Sequence, residues 1–401
     1  MLRRVFSAFE SRDFRVMWSG ACTSSVGTWM QKLAQSWLVL QLSGSPFLLG
    51  LDAFLGEIPV FLFSLVGGVI ADRVDRRHVL LASQFVQMSC AFLLTALIAF
   101  KVVAVWQILT LSCVVGFAQA FGGPAYQALI PALVKPGHVS NAIAMNSIQF
   151  NMARVIGPVL GGLALTQLGA AWCFGLNGLS FVAVIISIFS LHTRFVPSGG
   201  DSSMLDSMRQ GFGFIRGKPG MVALILLAFL ATMLGIPLMV FLPVFAKDVF
   251  RQGPTIYTLL LAFSGAGSIA GALSVAAMGN HPHKGRVIVV TMAVLGLFMV
   301  GFSLSRWLPM SCVLVFMSGA LTIVVFATLS SLVQLLTRDQ MRGRVMSVYN
   351  VAFRGGMPMG SLLAGALAPA LTAPLVLAGY GVLMSLLGLY FLVVQREVAA
   401  L

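Results

Sequence analysis

Three charged residues lie inside long apolar stretches near the start of the chain, at a spacing that suits proton transfer. Glu57 and Asp52 share one stretch, and Lys32 lies in the stretch before it. A tight turn joins the two stretches about ten residues from Lys32 on one side and Glu57 on the other, so the two side chains are expected at similar depth. Removal from water favours the protonated carboxyl group, whereas a nearby ammonium favours the ionised form. A carboxylate held between these influences can load and release protons, so Glu57, Asp52 and Lys32 are the candidates for proton coupling.

Other interpretations of these charges stay open. Glu57 and Lys32 can form a static ion pair, Glu57 can contact a cationic substrate, and Asp52 can lie in an outer vestibule. A charged side chain at the centre of a bilayer costs about 2.5–3.5 kcal/mol on insertion scales, so it needs an oppositely charged partner or water. Each of these interpretations provides one or the other.

The composition is that of a helical membrane protein. The chain has 401 residues, of which 59% are hydrophobic and 9% charged. Soluble domains carry about 25% charged residues, so these charges are too few to cover a soluble surface. This excludes a soluble enzyme, a disordered protein and a nucleic-acid-binding domain. The strands of an outer-membrane barrel would alternate polar and apolar residues, which these stretches do not.

Twelve apolar stretches have the length of about 20 residues that a membrane-spanning helix needs. They are roughly 14–41, 47–70, 78–99, 105–127, 141–167, 171–192, 221–246, 255–278, 286–304, 309–335, 345–370 and 373–394. A long polar connection separates the sixth stretch from the seventh. The sequence therefore predicts an N-terminal six-helix bundle (1–193), a cytoplasmic linker (194–220) and a C-terminal six-helix bundle (221–401). Met204, Leu205, Met208, Phe212 and Ile215 predict a short interfacial helix in the linker.

The basic residues predict the orientation. With the N-terminus in the cytoplasm, cytoplasmic segments hold 18 Lys and Arg residues, outer segments hold 4, and three lie within helices. Cytoplasmic loops carry such an excess, so both termini are expected inside. This bias also accounts for the net charge of +14 without a nucleic-acid partner.

No chemistry of another kind is predicted. The five cysteines lie in apolar stretches without CxxC spacing, and a buried cysteine behaves as a small hydrophobe. We expect no disulfide, metal site, cofactor or catalytic residue. No cleavable signal peptide is expected either, because the first apolar stretch is long and contains Lys32.

An internal repeat appears at an offset of 200 residues. Arg154 and Pro158 lie in the fifth stretch, and Arg354 and Pro358 occupy the matching positions of the eleventh. Two halves in parallel repeat are typical of a secondary transporter with its substrate site between the halves.

Two motifs carry a resemblance to a known family. Residues 67–77 read GGVIADRVDRR, which resembles the signature loop of the major facilitator superfamily, and residues 157–162 read GPVLGG, which resembles an element of its antiporter branch. Residues 151–162, Pro124-Ala125 and Arg342-Gly343-Arg344 resemble the bacterial group that contains the enterobactin exporter.

The resemblance implies an all-α membrane protein with twelve transmembrane helices in two six-helix pseudo-repeats. It also implies that Asp72 approaches Arg344 and closes the inner side, while the fifth helix controls bending and sealing. The gating candidates are Gly68, Asp72, Arg73, Asp75, Arg76, Arg77, Arg344, Gly157, Pro158, Gly161 and Gly162. A topology anchor and ordinary small-residue packing are the simpler alternatives.

The resemblance also implies a central substrate cavity and indicates which helices face it. The lining candidates are Trp29, Gln31, Gln35, Gln119, Tyr126, Asn146, Gln149, Asn151, Arg154, Tyr257, Tyr349 and Arg354. Arg154 and Arg354 are candidates either for an anionic group of the substrate or for structural bracing.

The sequence thus predicts an exporter of amphipathic small molecules, of drug or siderophore type, in the bacterial inner membrane. Proton antiport, alternating access and a monomer are expected. A lysophospholipid transporter moving lipid between leaflets is the main alternative, and a non-transporting receptor or scaffold is the third.

Overall fold

A computed structural model describes residues 6–193, 204–279, 283–395 and 398–399. In these ranges the regular structure is helical throughout. The long helices are α1 (Arg12–Ser43), α2 (Pro46–Arg73), α3 (Arg76–Ala99), α4 (Val105–Leu129), α5 (Val139–Gln167), α6 (Ala170–Phe189), α7 (Met204–Arg216), α8 (Pro219–Gly235), α9 (Pro254–Met278), α10 (Lys284–Leu304), α11 (Leu308–Leu335), α12 (Asp339–Leu371) and α13 (Ala373–Val393). Arg3, Arg4, Arg396 and the first part of the predicted linker lie outside the described residues.

Ten helices of the described chain are long and apolar enough to cross a membrane. α1 and α12 are not among them, although they have 32 and 33 residues. Both contain polar and charged residues, including Lys32 in α1 and Arg354 in α12. The chain is a multi-pass helical membrane protein, and the further prediction of twelve spans rests on these two helices.

The helix ends follow local sequence signals. Gly44, with φ of +62°, makes the turn between α1 and α2, and Gly169, with φ of +93°, separates α5 from α6. Asp75 accepts a hydrogen bond from the Arg77 amide and caps α3. Pro237 and Pro243 divide the continuation of α8 into short pieces, Pro237–Val240 and Leu242–Val244, because proline cannot donate to the helical ladder.

The chain forms two compact units. The first comprises Met1–Leu42 and Leu55–Asp201, and the second comprises Ser43–Phe54 and Ser202–Leu401. α2 therefore contributes its beginning to the second unit and its remainder to the first. In the first unit, α3 packs against α4 and α6, whereas in the second α10 packs against α11 and α13.

In both units, a helix with an Arg–Pro pair packs on the first helix of its half through two glycines. In the first unit, Gly157 and Gly161 of α5 lie against Trp29 and Met30 of α1. In the second, Gly356 and Gly360 of α12 lie against α8 at 229–233. A Cβ on Gly360 would lie 2.7 Å from the carbonyl carbon of Met233, so the two backbones touch directly.

Candidate functional site

The centre of the candidate site is an ion pair across the α1–α2 turn. The Lys32 ammonium lies 3.4 Å from Oε1 of Glu57, as the spacing around the turn predicts. The same ammonium lies 5.5 Å from the centre of the Trp29 ring. Lys32 is exposed and Glu57 is half-buried.

A second cation lies over the same aromatic ring. The Arg154 guanidinium of α5 is 5.8 Å from the Trp29 ring centre, and Phe150 meets the ring edge-on at 6.1 Å. Cation–π contacts of this type contribute about 0.5–2 kcal/mol, depending on desolvation. The first unit therefore brings together Trp29, Lys32, Glu57 and Arg154, which form an amphipathic group that we call the Trp29 cluster.

Glycine allows α5 to approach closely enough to form this cluster. A Cβ at Gly157 would lie 2.5 Å from the Cβ of Trp29 and 2.8 Å from the Val26 carbonyl oxygen. Pro158 is buried and α5 continues through it, so Pro158 does not end the helix. Gly161 packs on Met30, and Gly162 is buried. The part of these residues in gating stays a prediction.

The basic residues of the 67–77 loop cap helices of their own unit. Arg77 donates to the carbonyls of Ile188 at 2.9 Å, Phe189 at 3.2 Å and Leu191 at 3.3 Å, at the C-terminal end of α6. Arg76 donates to Ala71 and Ala128 at 3.1 and 2.9 Å, near the ends of α2 and α4. Cations at helix C-termini interact favourably with the helix dipole. Arg76 and Arg77 thus have structural roles.

Asp72 keeps an exposed carboxylate that can make a further contact. It pairs with Arg76 at 3.3 Å, and its side chain is 60% exposed. Arg73 is exposed at the end of α2. Gly67 packs on the backbone of α4 at Ala120, whereas an added Cβ at Gly68 would meet nothing within 4 Å. Arg344 contacts Met341 within the second unit, and its predicted contact with Asp72 stays a prediction.

Several lining candidates instead connect helices of the first unit. Gln31 accepts a hydrogen bond from Asn177 at 2.6 Å, and Gln35 donates to Ser112 at 2.8 Å. Gln149 is buried and donates to Ser25 and to the carbonyl of Ala21. Tyr126 donates to Asn146 at 2.7 Å. These contacts order the helices around the Trp29 cluster.

The remaining candidates differ in burial and in the unit to which they belong. Asp52 is buried and belongs to the second unit, and Gln119 and Asn151 are exposed on α4 and α5. Arg354 is exposed on α12, and Tyr257 is buried in α9. Tyr349 is buried and stacks on Phe353 at 5.9 Å, and its hydroxyl has no hydrogen-bond partner in the described structure.

Asp13 has a structural role that the sequence did not indicate. Its Oδ2 accepts from the amides of His192 and Thr193 at 3.0 and 2.9 Å and from the Thr193 hydroxyl at 2.6 Å. Burial opposes the ionised form, but the hydrogen bonds from Thr193 and His192 outweigh it and lower the pKa of Asp13. Asp13 therefore fixes the chain just before the linker. Phe150, Asn177 and Gly356 were also missed, because their partners lie far away in sequence.

Comparison with known proteins identifies the family. The profile of the transmembrane secretion effector family, part of the major facilitator superfamily, matches residues 4–400. The chain belongs to this family. It is a transporter family, so the chain is not an enzyme.

Similar proteins are efflux transporters. The chain is 23% identical to macrolide efflux protein A of Streptococcus pyogenes, with 87% of this chain and 88% of that protein covered. It is 26% identical to the enterobactin exporter EntS of Escherichia coli O1:K1, with 96% and 92% covered, and 26% identical to the multidrug efflux pump Tap of Mycolicibacterium fortuitum, with 87% and 88% covered. These relatives support an exporter of small molecules.

The fold is that of solved transporters. The crystal structure of the nucleoside transporter NupG superposes with a TM-score of 0.71 at 14% identity, covering 96% of this chain and all of that one. At this identity the likeness shows the fold alone.

Proposed function

We propose that this protein exports amphipathic small molecules by proton antiport, through alternating access of its two halves. The observation that carries the proposal is the Lys32–Glu57 pair at 3.4 Å beside an aromatic ring. When Glu57 takes up a proton the ion pair is lost, and Lys32 becomes free to change its contacts. A protonation event is thereby linked to the surface that a substrate would touch.

The Trp29 cluster has the chemistry of an amphipathic binding surface. Trp29 and Phe150 offer apolar and aromatic area, while Lys32, Glu57 and Arg154 offer charges of both signs. A site of this type suits compounds with an aromatic or aliphatic body and a polar group, as in other small-molecule pockets. The efflux relatives support the direction of transport.

The architecture that the proposal needs comprises twelve spans in two six-helix repeats. α1 and α12 would be about 48 and 50 Å long at 1.5 Å per residue, longer than the ~30 Å hydrocarbon core. The matching glycine contacts of α5 with α1 and of α12 with α8 support a repeat. We place both termini in the cytoplasm of a bacterial inner membrane, on the distribution of Lys and Arg, and expect a monomer without a nucleic-acid partner.

The test is efflux of a fluorescent dye from bacteria that lack their main pumps. Cells with and without the protein are compared before and after a protonophore is added. Export that depends on the protein and stops with the protonophore supports antiport. Export that persists after the gradient has collapsed contradicts antiport. The alternative, lysophospholipid movement between leaflets, needs no proton gradient. That alternative is then assayed with a labelled lysophospholipid in vesicles.

A further inference from the structure

Lys32 makes, within its own protein, the two contacts that an organic cation would make at this place. Its ammonium lies 3.4 Å from Oε1 of Glu57 and 5.5 Å from the centre of the Trp29 ring. An aromatic face attracts a substituted ammonium ion through its quadrupole, and a carboxylate attracts it through its charge. Lys32 therefore lies where a positively charged group of a substrate would be bound best.

The lysine is held loosely. Its distance of 3.4 Å from the carboxylate is longer than the ~2.8 Å of a strong charge-assisted hydrogen bond. The side chain of Lys32 is 54% exposed, so moving its ammonium breaks little packing. A lysine also loses rotamer freedom when an ion pair fixes it in one geometry. A substrate with a rigid cationic group does not lose that freedom, so it can displace the lysine.

The second unit forms matching helix contacts without these side chains. A glycine of α5 packs on the backbone of α1 at Met30, and a glycine of α12 packs on α8 at Met233. A glycine of α4 packs on the carbonyl of Gly56 in α2, and a glycine of α11 packs on that of Ser264 in α9. This alignment matches Trp29, Lys32 and Glu57 with Thr232, Gly235 and Gly265. Helix packing of this kind therefore requires neither the ring nor the charges.

The direction of coupling determines which charge the substrate carries. In antiport the proton and the substrate bind in alternation, so each must weaken the binding of the other. An anionic group would bind Lys32 most strongly when Glu57 is protonated, and would then travel together with the proton. A cationic group binds Glu57 most strongly when the carboxylate is ionised, and it leaves when the carboxylate takes up a proton.

A cationic group has to replace Lys32 rather than join it. Glu57 supplies one negative charge, and Lys32 already neutralises it. The Arg154 guanidinium lies 5.8 Å from the centre of the same Trp29 ring and repels a further cation. The ring and the carboxylate can therefore accept a substrate's cation only as the ammonium of Lys32 moves away.

We propose that Lys32 is an intramolecular competitor of the substrate, and that the substrate carries an amine or quaternary ammonium group on an apolar body. In the empty protein Lys32 pairs with Glu57. The substrate's cation takes over Glu57 and the Trp29 ring, and protonation of Glu57 releases it. Lys32 thereby determines specificity, because an exported cation must bind better than the tethered lysine does. The choice of a cation rests on the proposed antiport.

The test measures binding of two probes that have the same shape and opposite charge, tetraphenylphosphonium and tetraphenylborate. Purified full chain in a non-ionic detergent is dialysed to equilibrium against each probe at neutral pH, and uptake by protein-free micelles is subtracted. Lys32→Gln removes the competitor and Lys32→Arg keeps a cation in its place. Lys101→Gln is the matched control, because Lys101 is an exposed lysine of the first unit outside the Trp29 cluster.

Removing a positive charge should improve binding of a cation. We expect Lys32→Gln to bind tetraphenylphosphonium roughly three- to tenfold more tightly than the wild type, since the displaced ion pair and cation–π contact are each worth a few-fold in affinity. Lys32→Arg should bind it more weakly than Lys32→Gln, and Lys101→Gln should match the wild type. Glu57→Gln should weaken binding severalfold. Unchanged or weaker binding of tetraphenylphosphonium by Lys32→Gln would overturn the proposal.

The wild type alone gives a second test, which does not depend on the folding of a variant. It should bind tetraphenylphosphonium more tightly than tetraphenylborate. The opposite preference, or no binding of tetraphenylphosphonium at all, would overturn the proposal.

The binding measurement involves no proton gradient, so its failure is distinguishable from failure of the proposed function. Tighter binding by Lys32→Gln together with efflux that persists after a protonophore would refute antiport and leave Lys32 as a competitor. Efflux that stops with the protonophore, together with no gain in binding by Lys32→Gln, would refute the competitor and leave antiport.

Discussion

The Lys32 ammonium contacts Glu57 at 3.4 Å and faces the Trp29 ring at 5.5 Å, so one cation connects an acid with an aromatic surface. A static ion pair needs only opposite charges at positions 32 and 57, in either order. Proton coupling through Glu57 needs the carboxylate at position 57 itself. This difference separates the two interpretations of the pair experimentally.

Glu57→Gln should abolish protonophore-sensitive efflux while the protein is still produced, because glutamine cannot exchange a proton. The double variant Lys32→Glu with Glu57→Lys keeps an ion pair at this place with its charges exchanged. It should be as stable as the wild type but should not support efflux. Glu10→Gln serves as the control, since Glu10 is an exposed acid outside the Trp29 cluster. Efflux by the exchanged pair at the wild-type level would show that the ion pair is structural and would refute coupling through Glu57.

Gly360→Ala should destabilise the protein by about 1–3 kcal/mol, the usual cost of overpacking. The added Cβ would meet the Met233 carbonyl group on α8. Gly379→Ala is the matched control, because nothing lies within 4 Å of a Cβ at that position of α13. Thermal unfolding in detergent checks both variants, and equal melting temperatures would contradict the close α8–α12 contact.

Asp13→Asn should lower stability at neutral pH by about 2–3 kcal/mol, because it weakens charge-assisted hydrogen bonds to His192 and Thr193. The pKa of Asp13 is lowered in the folded protein, so its stabilising contribution is complete above the unfolded value of about 3.9. The contribution falls as the pH drops from there through the folded pKa. Melting temperatures of wild type and variant should therefore converge in acid; a constant difference down to the lowest pH would contradict this role.

Arg77→Ala should destabilise the first unit by about 1–3 kcal/mol, because three carbonyls at the end of α6 lose a charged donor. Arg73→Ala removes an exposed neighbour from the same loop and should change the melting temperature little. The comparison tests whether the loop arginines are interchangeable topology anchors, since equal effects would favour that interpretation.

Asp72→Asn should leave the melting temperature almost unchanged, because its pair with Arg76 is solvent-exposed and exposed pairs contribute about 0–1 kcal/mol. If Asp72 closes the inner side, dye efflux should nevertheless fall severalfold. Wild-type efflux by Asp72→Asn would remove this residue from the gate.

The sequence predicted the helices well wherever hydrophobicity alone determines them. The predicted stretch 373–394 corresponds to Ala373–Val393, and 105–127 corresponds to Val105–Leu129. It placed the start of α12 at 345, six residues late, because Arg338, Arg342 and Arg344 mask the beginning of the helix at Asp339. Hydrophobicity also could not show the interruption of α8 after Gly235.

The candidate site was predictable where one short turn determines the geometry. The Lys32–Glu57 pair follows from counting residues on either side of the turn. The contact of Arg154 with Trp29, the bond from Asn177 to Gln31 and the bonds from Thr193 to Asp13 join residues more than 100 positions apart. Nothing local in the sequence marks such contacts, because they depend on which helices become neighbours.

The glycine crossings of the second unit also determine how freely this sequence can drift. Gly267 and Gly271 meet carbonyls of α11, Gly296 meets Gly381 of α13, and Gly360 meets α8. At each crossing an added Cβ would lie closer than 3 Å to the facing helix, so any larger residue forces the two helices to shift and glycine is strongly favoured there. Exposed positions such as Leu297 accept almost any apolar residue. The sequence of this half is therefore most tightly constrained at a few helix crossings and least constrained at its exposed apolar positions.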